Sequence, residues 1–326
     1  MKKYKWGIIG PGKIAGKFAT ALSNVPNAEL WAVASREEQR AKQFAQHYNA
    51  RRYYGSYEAI ANDSDIDIMY IATPHTFHYA HTLLCLNNKK PVLCEKPMSV
   101  NYQSTLQMAS VARENNVFLM EAMWTRFLPV IKHTLQLIRD GEIGELKFVR
   151  ADFGFAFPFD PHSRIFDLKL GGGSLLDIGV YPLFLALLLL GEPDAIKAMA
   201  NLSVTGADET MNALLYYKNK TMASVFSTTV VNTPVTAEIT GSEGSITIGG
   251  PWYKGSSLIL RKGNNDAREF SLPYGDNGFE FEIIEAMNCL DNNLTESSAL
   301  PLSFSLMMSK VVNEISDQCN LRYEVQ

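Results

Sequence analysis

At 326 residues the chain is long for one compact unit, and two domains are the natural expectation. Its 46% hydrophobic and 20% charged residues match an ordinary soluble globular protein with ample material for a core. The formal net charge of −4 argues against nucleic acid as a partner, because phosphate binding needs a concentrated basic face and Lys89, Lys90 and Lys96 make only a small cluster.

The opening "MKKYKWGIIGPG" has no apolar stretch of signal-peptide length and no small-residue cleavage site. "YKWGIIG" (4–10) reads as a strand and "IAGKFATALSNV" (14–25) as a helix. Between them Gly10, Gly12 and Ala15 form a G-x-G-x-x-A turn. The first glycine permits the tight turn, the second lets a pyrophosphate approach the backbone, and Ala15 lets helix and strand pack closely. The helix start, with Lys13 and Ile14, offers N–H groups and partial positive charge to phosphates.

"AELWAVAS" (28–35) is a second strand and "REEQRAKQFAQHYN" (36–49) a charged amphipathic helix. An acidic residue at the end of that strand would select NAD; Ser35 and Arg36 stand there instead. A guanidinium there suits a 2′-phosphate, so NADP is expected over NAD.

"IDIMYIAT" (66–73), "PVLCE" (91–95) and "VFLMEA" (117–122) are further apolar runs separated by helical stretches. Strands apolar on both faces and alternating with helices indicate a parallel, doubly wound sheet. Such sheets place ligands at the carboxyl ends of their strands, which here are "IATPHTFH", with Thr73 and Pro74, and "CEKP". The Glu95–Lys96 step is notable because charge at the end of a core strand is costly unless paired or used. Lys96 reaches the nicotinamide crevice, with Glu95 as its partner or as a ribose ligand; adjacent Glu and Lys in a loop also make ordinary surface pairs. His75, His78 and His81 recur every three residues, but no Cys or carboxylate has metal-ligand spacing with them, and no metal is expected.

After about residue 123 the pattern changes. "FLPVIKHTLQLIRDG" is helical and "ELKFVRADFGFAF" (145–157) a long strand. "LFLALLLLG" (183–191) is too short to span a bilayer and reads as a buried helix. "MNALLYYK", "TMASVFSTTVV", "AEITGSEGSITIGG" and "SSLILRKG" are strands, the GSEGS step being a hairpin turn, and helices near 278–292 and 303–318 close the chain. The expected fold class is therefore α/β: a doubly wound Rossmann domain over 1–122, then an α+β domain over 123–326 with a large, mostly antiparallel open sheet. Cys85, Cys94, Cys289 and Cys319 show no CxxC spacing and read as reduced thiols of a cytoplasmic protein.

Asp177 and Tyr181 are four residues apart and share one helix face behind the run Gly171, Gly172 and Gly173, which would let that helix start against the cofactor. Free tyrosine, with a pKa near 10, is a poor base at neutral pH, but a nearby ammonium such as Lys96 favours the phenolate. Pro182 directly after Tyr181 removes a helix hydrogen bond and predicts a kink or restart. Trp124 and Arg126 follow the last Rossmann strand, and Phe153, Phe155, Trp252 and Phe279 are candidates for an aromatic substrate wall.

Four segments in chain order, "GIIGPGKIAGKF", "IATPHTFHYAHTL", "CEKPMSV" and "GGGSLLDIGVYPL", resemble the glucose–fructose oxidoreductase/inositol dehydrogenase (Gfo/Idh/MocA) family along nearly the whole chain. "MEAMWTRFLP" and the tyrosine at 181 are most similar to its dimeric dihydrodiol dehydrogenase/NADP-dependent xylose dehydrogenase branch. The resemblance implies that Lys96 is catalytic, that Asp177 and Tyr181 serve the reaction with Tyr181 moving the proton, and that the second sheet forms a homodimer or homotetramer. It implies that His78 lies near the cofactor, while His75 and His81 read as helix-surface residues. Arg164 matches a family arginine that serves cofactor phosphate or domain packing. Trp124 and Arg126 match crevice lining. The expected activity is hydride transfer between NADP and a secondary alcohol carbon of a sugar, cyclic polyol or trans-dihydrodiol. The rival expectations are a non-catalytic dinucleotide-binding regulator and a sugar–sugar oxidoreductase that retains its cofactor. No nucleic-acid or membrane partner is expected.

Overall fold

In the computed structural model, which describes residues 2–263 and 266–326, the chain divides into two units. The first comprises Met1–Trp124, Asp276–Ser309 and Val325–Gln326; the second comprises Thr125–Gly275 and Lys310–Glu324. Met1, Asn264 and Asn265 lie outside the described residues.

The first unit alternates strand and helix: β1 (Tyr4–Ile9), α1 (Lys13–Ser23), β2 (Ala28–Ala34), α2 (Glu38–His47), β3 (Arg52–Tyr54), α3 (Tyr57–Ala61), β4 (Ile68–Ile71), a 3₁₀ turn (His75–Phe77), α4 (His78–Asn87), β5 (Val92–Glu95), α5 (Tyr102–Asn115) and β6 (Leu119–Ala122). Among the described residues these strands form one six-stranded sheet in the order β3-β2-β1-β4-β5-β6, every pairing parallel. The strand order reverses between β1 and β4, which opens a crevice at their carboxyl ends. Period-two alternation sends Ile9, Met69, Ile71 and Cys94 to the face covered by Cys85 and Leu86 of α4 and Met108 and Ala109 of α5. Trp6 and Tyr70 take the opposite face, where Phe18 of α1 stacks on Tyr70 and meets Trp6 edge-on.

The second unit holds α6 (Pro129–Arg139), β7 (Leu146–Gly154), a five-residue π turn (Leu175–Gly179), α7 (Val180–Leu190), β8 (Ala195–Leu202), β9 (Asp208–Tyr216), β10 (Met222–Thr228), β11 (Ala237–Gly241), β12 (Gly244–Ile248), β13 (Ser257–Lys262) and β14 (Asp266–Ser271). Among the described residues these strands form an eight-stranded sheet in the order β14-β13-β12-β11-β7-β10-β9-β8. All pairings are antiparallel except β7 with β10. The GSEGS step joins β11 and β12 as a hairpin. α7 lies in a helical run, Leu168–Leu190, long and apolar enough to cross a membrane by length and composition. Burial of Val180–Leu187 against β7 and β10 accounts for that composition as a core helix.

The chain closes with α8 (Glu280–Asp291) and α9 (Leu302–Gln318). A single division after residue 122 was expected, but 276–309 returns to the first unit. The reason is packing: α8 lies on α1, the Tyr4 hydroxyl donates to Asp291 at 2.6 Å, and Leu302 joins the apolar cluster of α4 and α5. The Thr295 carbonyl also accepts the Leu119 amide, which covers the edge of β6.

Candidate active site

The first unit supplies a dinucleotide cradle. Gly10 sits at φ +91°, and a Cβ there would lie 2.8 Å from Thr73 Cγ2 and 2.9 Å from the Ala72 carbonyl oxygen, so only glycine makes this turn. Gly12 precedes α1, and a Cβ there would meet nothing within 4 Å. That open space before a helix N-terminus, bordered by Lys13 and Ile14, fits a pyrophosphate. Ala15 is fully buried, as close strand–helix packing requires.

At the end of β2 the Ser35 hydroxyl accepts the Glu37 amide at 3.2 Å. Arg36 lies over the Phe77 ring at 5.6 Å and, with Ser56, Tyr57, Glu58, Thr73, Pro74 and His81, lines a pocket of about 290 Å³. His81 is thus no helix-surface residue. Its Nδ1 meets Thr73 Oγ1 at 3.0 Å and its ring packs on Tyr57 and Phe77. Burial, then the neighbouring His78 and Arg36, push it down to about 4, so the ring is neutral at pH 7. His75 is buried as well.

The end of β5 explains the Glu–Lys step. Glu95 accepts the Tyr70 hydroxyl and, through Oε2, the Lys96 amide at 3.1 Å. Both Glu95 and Lys96 are buried. β5 pairs with β6 so that Cys94 lies opposite Glu121, a carboxyl absent from the expected site. Glu121 Oε1 accepts the Met98 amide at 2.8 Å. Burial raises the Glu121 pKa, against the opposing pull of Ser305, the Met98 amide and the Lys96 ammonium. On the other side α8 brings in Glu282, fully buried, with neither carboxyl oxygen hydrogen-bonded. Burial, then the charge of Glu95, holds Glu282 well above the usual carboxylate range. His78, expected near the cofactor, is fully buried with both ring nitrogens on main-chain carbonyls. Trp124 stacks on Phe279 at 5.0 Å in the same unit.

The second unit gathers Asp177, Tyr181, Arg164 and an aromatic nest. Arg164 pairs with Asp177 at 2.8 Å rather than standing alone for a phosphate. Tyr181 lies 5.5 Å from Phe153 and 5.3 Å from Tyr253, and Phe153 stacks on Tyr253 at 4.2 Å. Half-buried Phe155 extends the nest from Phe153. Tyr253 was not anticipated, while its neighbour Trp252 is fully buried with its indole N–H donating to the Asp152 carbonyl, a packing residue behind the nest. Half-buried Arg126 lies in the short turn Trp124–Phe127.

The glycine run is also required by packing. A Cβ on Gly173, at φ +120°, would fall 2.1 Å from Asp208 Oδ1, and one on Gly172 would fall 2.7 Å from the Arg164 and Ile165 carbonyl oxygens. The glycines let the segment close on Asp208, whose Oδ2 accepts the Ser174 hydroxyl at 2.6 Å and the Leu175 amide at 2.7 Å. The restart predicted at Pro182 takes the form of the π turn through Asp177 followed by α7. The π turn runs directly into α7, and Pro182 lies just after this irregular stretch.

Residues 4–123 match the model of an oxidoreductase family with an NAD-binding Rossmann fold, and residues 131–247 match the GFO/IDH/MocA C-terminal domain. The chain is 37% identical over 331 residues to trans-1,2-dihydrobenzene-1,2-diol dehydrogenase of Xenopus tropicalis, covering 98% of this chain and 99% of that protein. To the Homo sapiens enzyme of the same name it is 34% identical, covering 95% of each. Among solved structures, a 3-ketoreductase of Actinomadura kijaniata crystallised with NADP is 25% identical at a TM-score of 0.88, covering 99% of each chain. An aldose–aldose oxidoreductase of Caulobacter crescentus is 25% identical at 0.89, covering 98% of each. With both domain models matched in order and full-length relatives above 30% identity, the chain belongs to the GFO/IDH/MocA family of oxidoreductases, which act on CH–OH groups.

Proposed function

We propose that the chain is an NADP-preferring dehydrogenase/reductase, with NAD the weaker cofactor, acting on a secondary alcohol carbon of a sugar, a cyclic polyol or a trans-dihydrodiol. The observation that carries this reading is Lys96, an ammonium buried at the carboxyl end of β5 and flanked by the carboxyls of Glu95 and Glu121. A core strand has no structural need for such a group.

Gly10, Gly12, Lys13 and Ile14 would hold the pyrophosphate, Ser35 and Arg36 a 2′-phosphate, and Thr73, Pro74 and Glu95 the remaining edge. When bound, the nicotinamide supplies the hydride acceptor or donor. In the oxidative direction Tyr181 takes the hydroxyl proton, its phenolate favoured by the ammonium of Lys96. Lys96 also stabilises negative charge growing on the substrate oxygen. Asp177, fixed by Arg164, orients the hydroxyl. The nest of Phe153, Phe155 and Tyr253 suits the face of a sugar ring or a planar diol.

The names of the relatives support the diol, and the aldose–aldose oxidoreductase of Caulobacter crescentus supports a sugar. The Caulobacter neighbour also favours a second reading, a sugar–sugar oxidoreductase that keeps its cofactor. NADP reduction is measured against aldoses, inositols and trans-dihydrodiols, after desalting the purified protein. Turnover only with added NADP supports the first reading; cofactor carried through desalting supports the second. In the same assay Lys96→Met lowers kcat by roughly 10²–10⁴-fold with NADP binding near normal, and undiminished turnover would contradict the role of Lys96.

The outer face of the second sheet suits a second copy of this chain. Met199, Leu214, Tyr216 and Met222 are 80%, 45%, 45% and 39% exposed, while the alternate residues Ala213, Leu215 and Ala223 face the core. The four cysteines are free and buried, in keeping with a cytoplasmic protein.

A further inference from the structure

The turn that carries Lys96 is held through almost every polar group of its backbone. Glu95 takes the Lys96 amide, Glu121 takes the Met98 amide, and the Cys94 thiol donates to the Met98 carbonyl at 3.7 Å. The Pro97 carbonyl oxygen lies 2.8 Å from His78 Nδ1. The second nitrogen of the same ring, Nε2, lies 2.8 Å from the Thr73 carbonyl oxygen.

Both partners of His78 are carbonyl oxygens, which only accept hydrogen bonds. A neutral imidazole carries one N–H and one lone pair, so in either tautomer one 2.8 Å contact would set lone pair against lone pair. Turning the ring over would instead present carbon to both oxygens. Only an imidazolium has a donor for each. We infer that His78 is a doubly protonated cation that staples the end of β4 to the turn after β5, and that it is thereby a positioning residue for Lys96.

The ring is fully buried, and a lone buried cation is costly. Two charge-assisted hydrogen bonds offset that cost. His78 also opens α4, where the helix dipole opposes a cation, but this is the smaller effect. The other ionisable neighbours do not compete. Cys94 is kept protonated by burial, and His81 is held neutral chiefly by burial. The His75 ring packs at right angles to that of His78, 5.6 Å away.

The protonation state follows from geometry alone; its consequence for turnover rests on the proposed role of Lys96. The test is ¹⁵N NMR of the histidine side chains in the full chain from pH 6 to 9, with the His78 signals assigned through the backbone and by their loss in His78→Gln. Two protected ring N–H groups on His78 at pH 7.5 are expected, and a single ring N–H there overturns the inference. In folded His78→Gln, kcat should fall roughly tenfold or more, with a smaller change in KM, because the lysine is displaced rather than removed. Wild-type kcat should decline at the pH where His78 loses its second proton. An unchanged kcat in the folded variant overturns the positioning role. The two readings separate cleanly. An imidazolium at His78 together with an active Lys96→Met protein overturns the catalytic role of Lys96 alone, and a neutral His78 with an inactive Lys96→Met protein overturns the staple alone.

Discussion

In the proposed reading a single residue, Arg36, decides the choice of dinucleotide. It lines the pocket at the end of β2, with its guanidinium 5.6 Å from the centre of the Phe77 ring. The opposing feature is Glu58 in the same lining, whose carboxylate penalises an extra phosphate. A charge-assisted, two-pronged bond outweighs a carboxylate that solvent screens. Arg36→Ala should therefore weaken NADP roughly tenfold or more while NAD changes little, as titration of the cofactors by calorimetry would record; equal losses count against the phosphate contact. Residues such as Gly10, Ser35, Arg36 and Lys96 were legible in the sequence because their neighbours along the chain define their setting. Glu121, Glu282, His81 and Tyr253 were not, because each acquires its role from segments far away. Glu121 is a carboxyl inside an apolar strand, and that mismatch was the one signal available.

At the level of elements, the segment ahead of Asp177 and Tyr181 is fixed by Asp208. Burial raises this carboxyl from 3.8 to about 6 against the pull of its bonds from Ser174, Leu175 and Tyr323. A folded-state pKa above the unfolded one means that the stabilising protonated form is fully present below about pH 4. It is lost as pH rises through about 6. Urea unfolding should thus show native stability falling between pH 4 and 7 relative to Asp208→Asn, by on the order of 3 kcal/mol; parallel curves for the two proteins would dismiss the assignment. Among strands, those buried on both faces were readable from their apolar runs. The ones that escaped, β3, β8 and β14, all lie at sheet edges, where a strand is short or exposes charged side chains and loses its periodic signature. The five-residue α3 escaped because so short a helix carries no amphipathic pattern.

For the whole molecule, assembly and chain order matter most. The exposed apolar stripe on β8, β9 and β10 alternates with core residues, and it is the face proposed above to meet a second copy. If the proposed homodimer or homotetramer forms through this face, Leu214→Glu should lower the mass seen by light scattering without loss of fold, and an unaltered mass would exclude that face. The fold class was plain in the sequence; the division of the chain was not, since 276–309 is joined to the first unit by contacts that no local pattern announces. That return has a consequence for biosynthesis. The N-terminal sheet is translated first, yet the helix that lies over α1 and the carbonyl that closes its last strand emerge only after residue 275. On the ribosome, nearly three hundred residues must therefore exist before the first-made half can shield its own border. Throughout that interval the growing polypeptide offers chaperones, or other nascent copies, an unguarded strand.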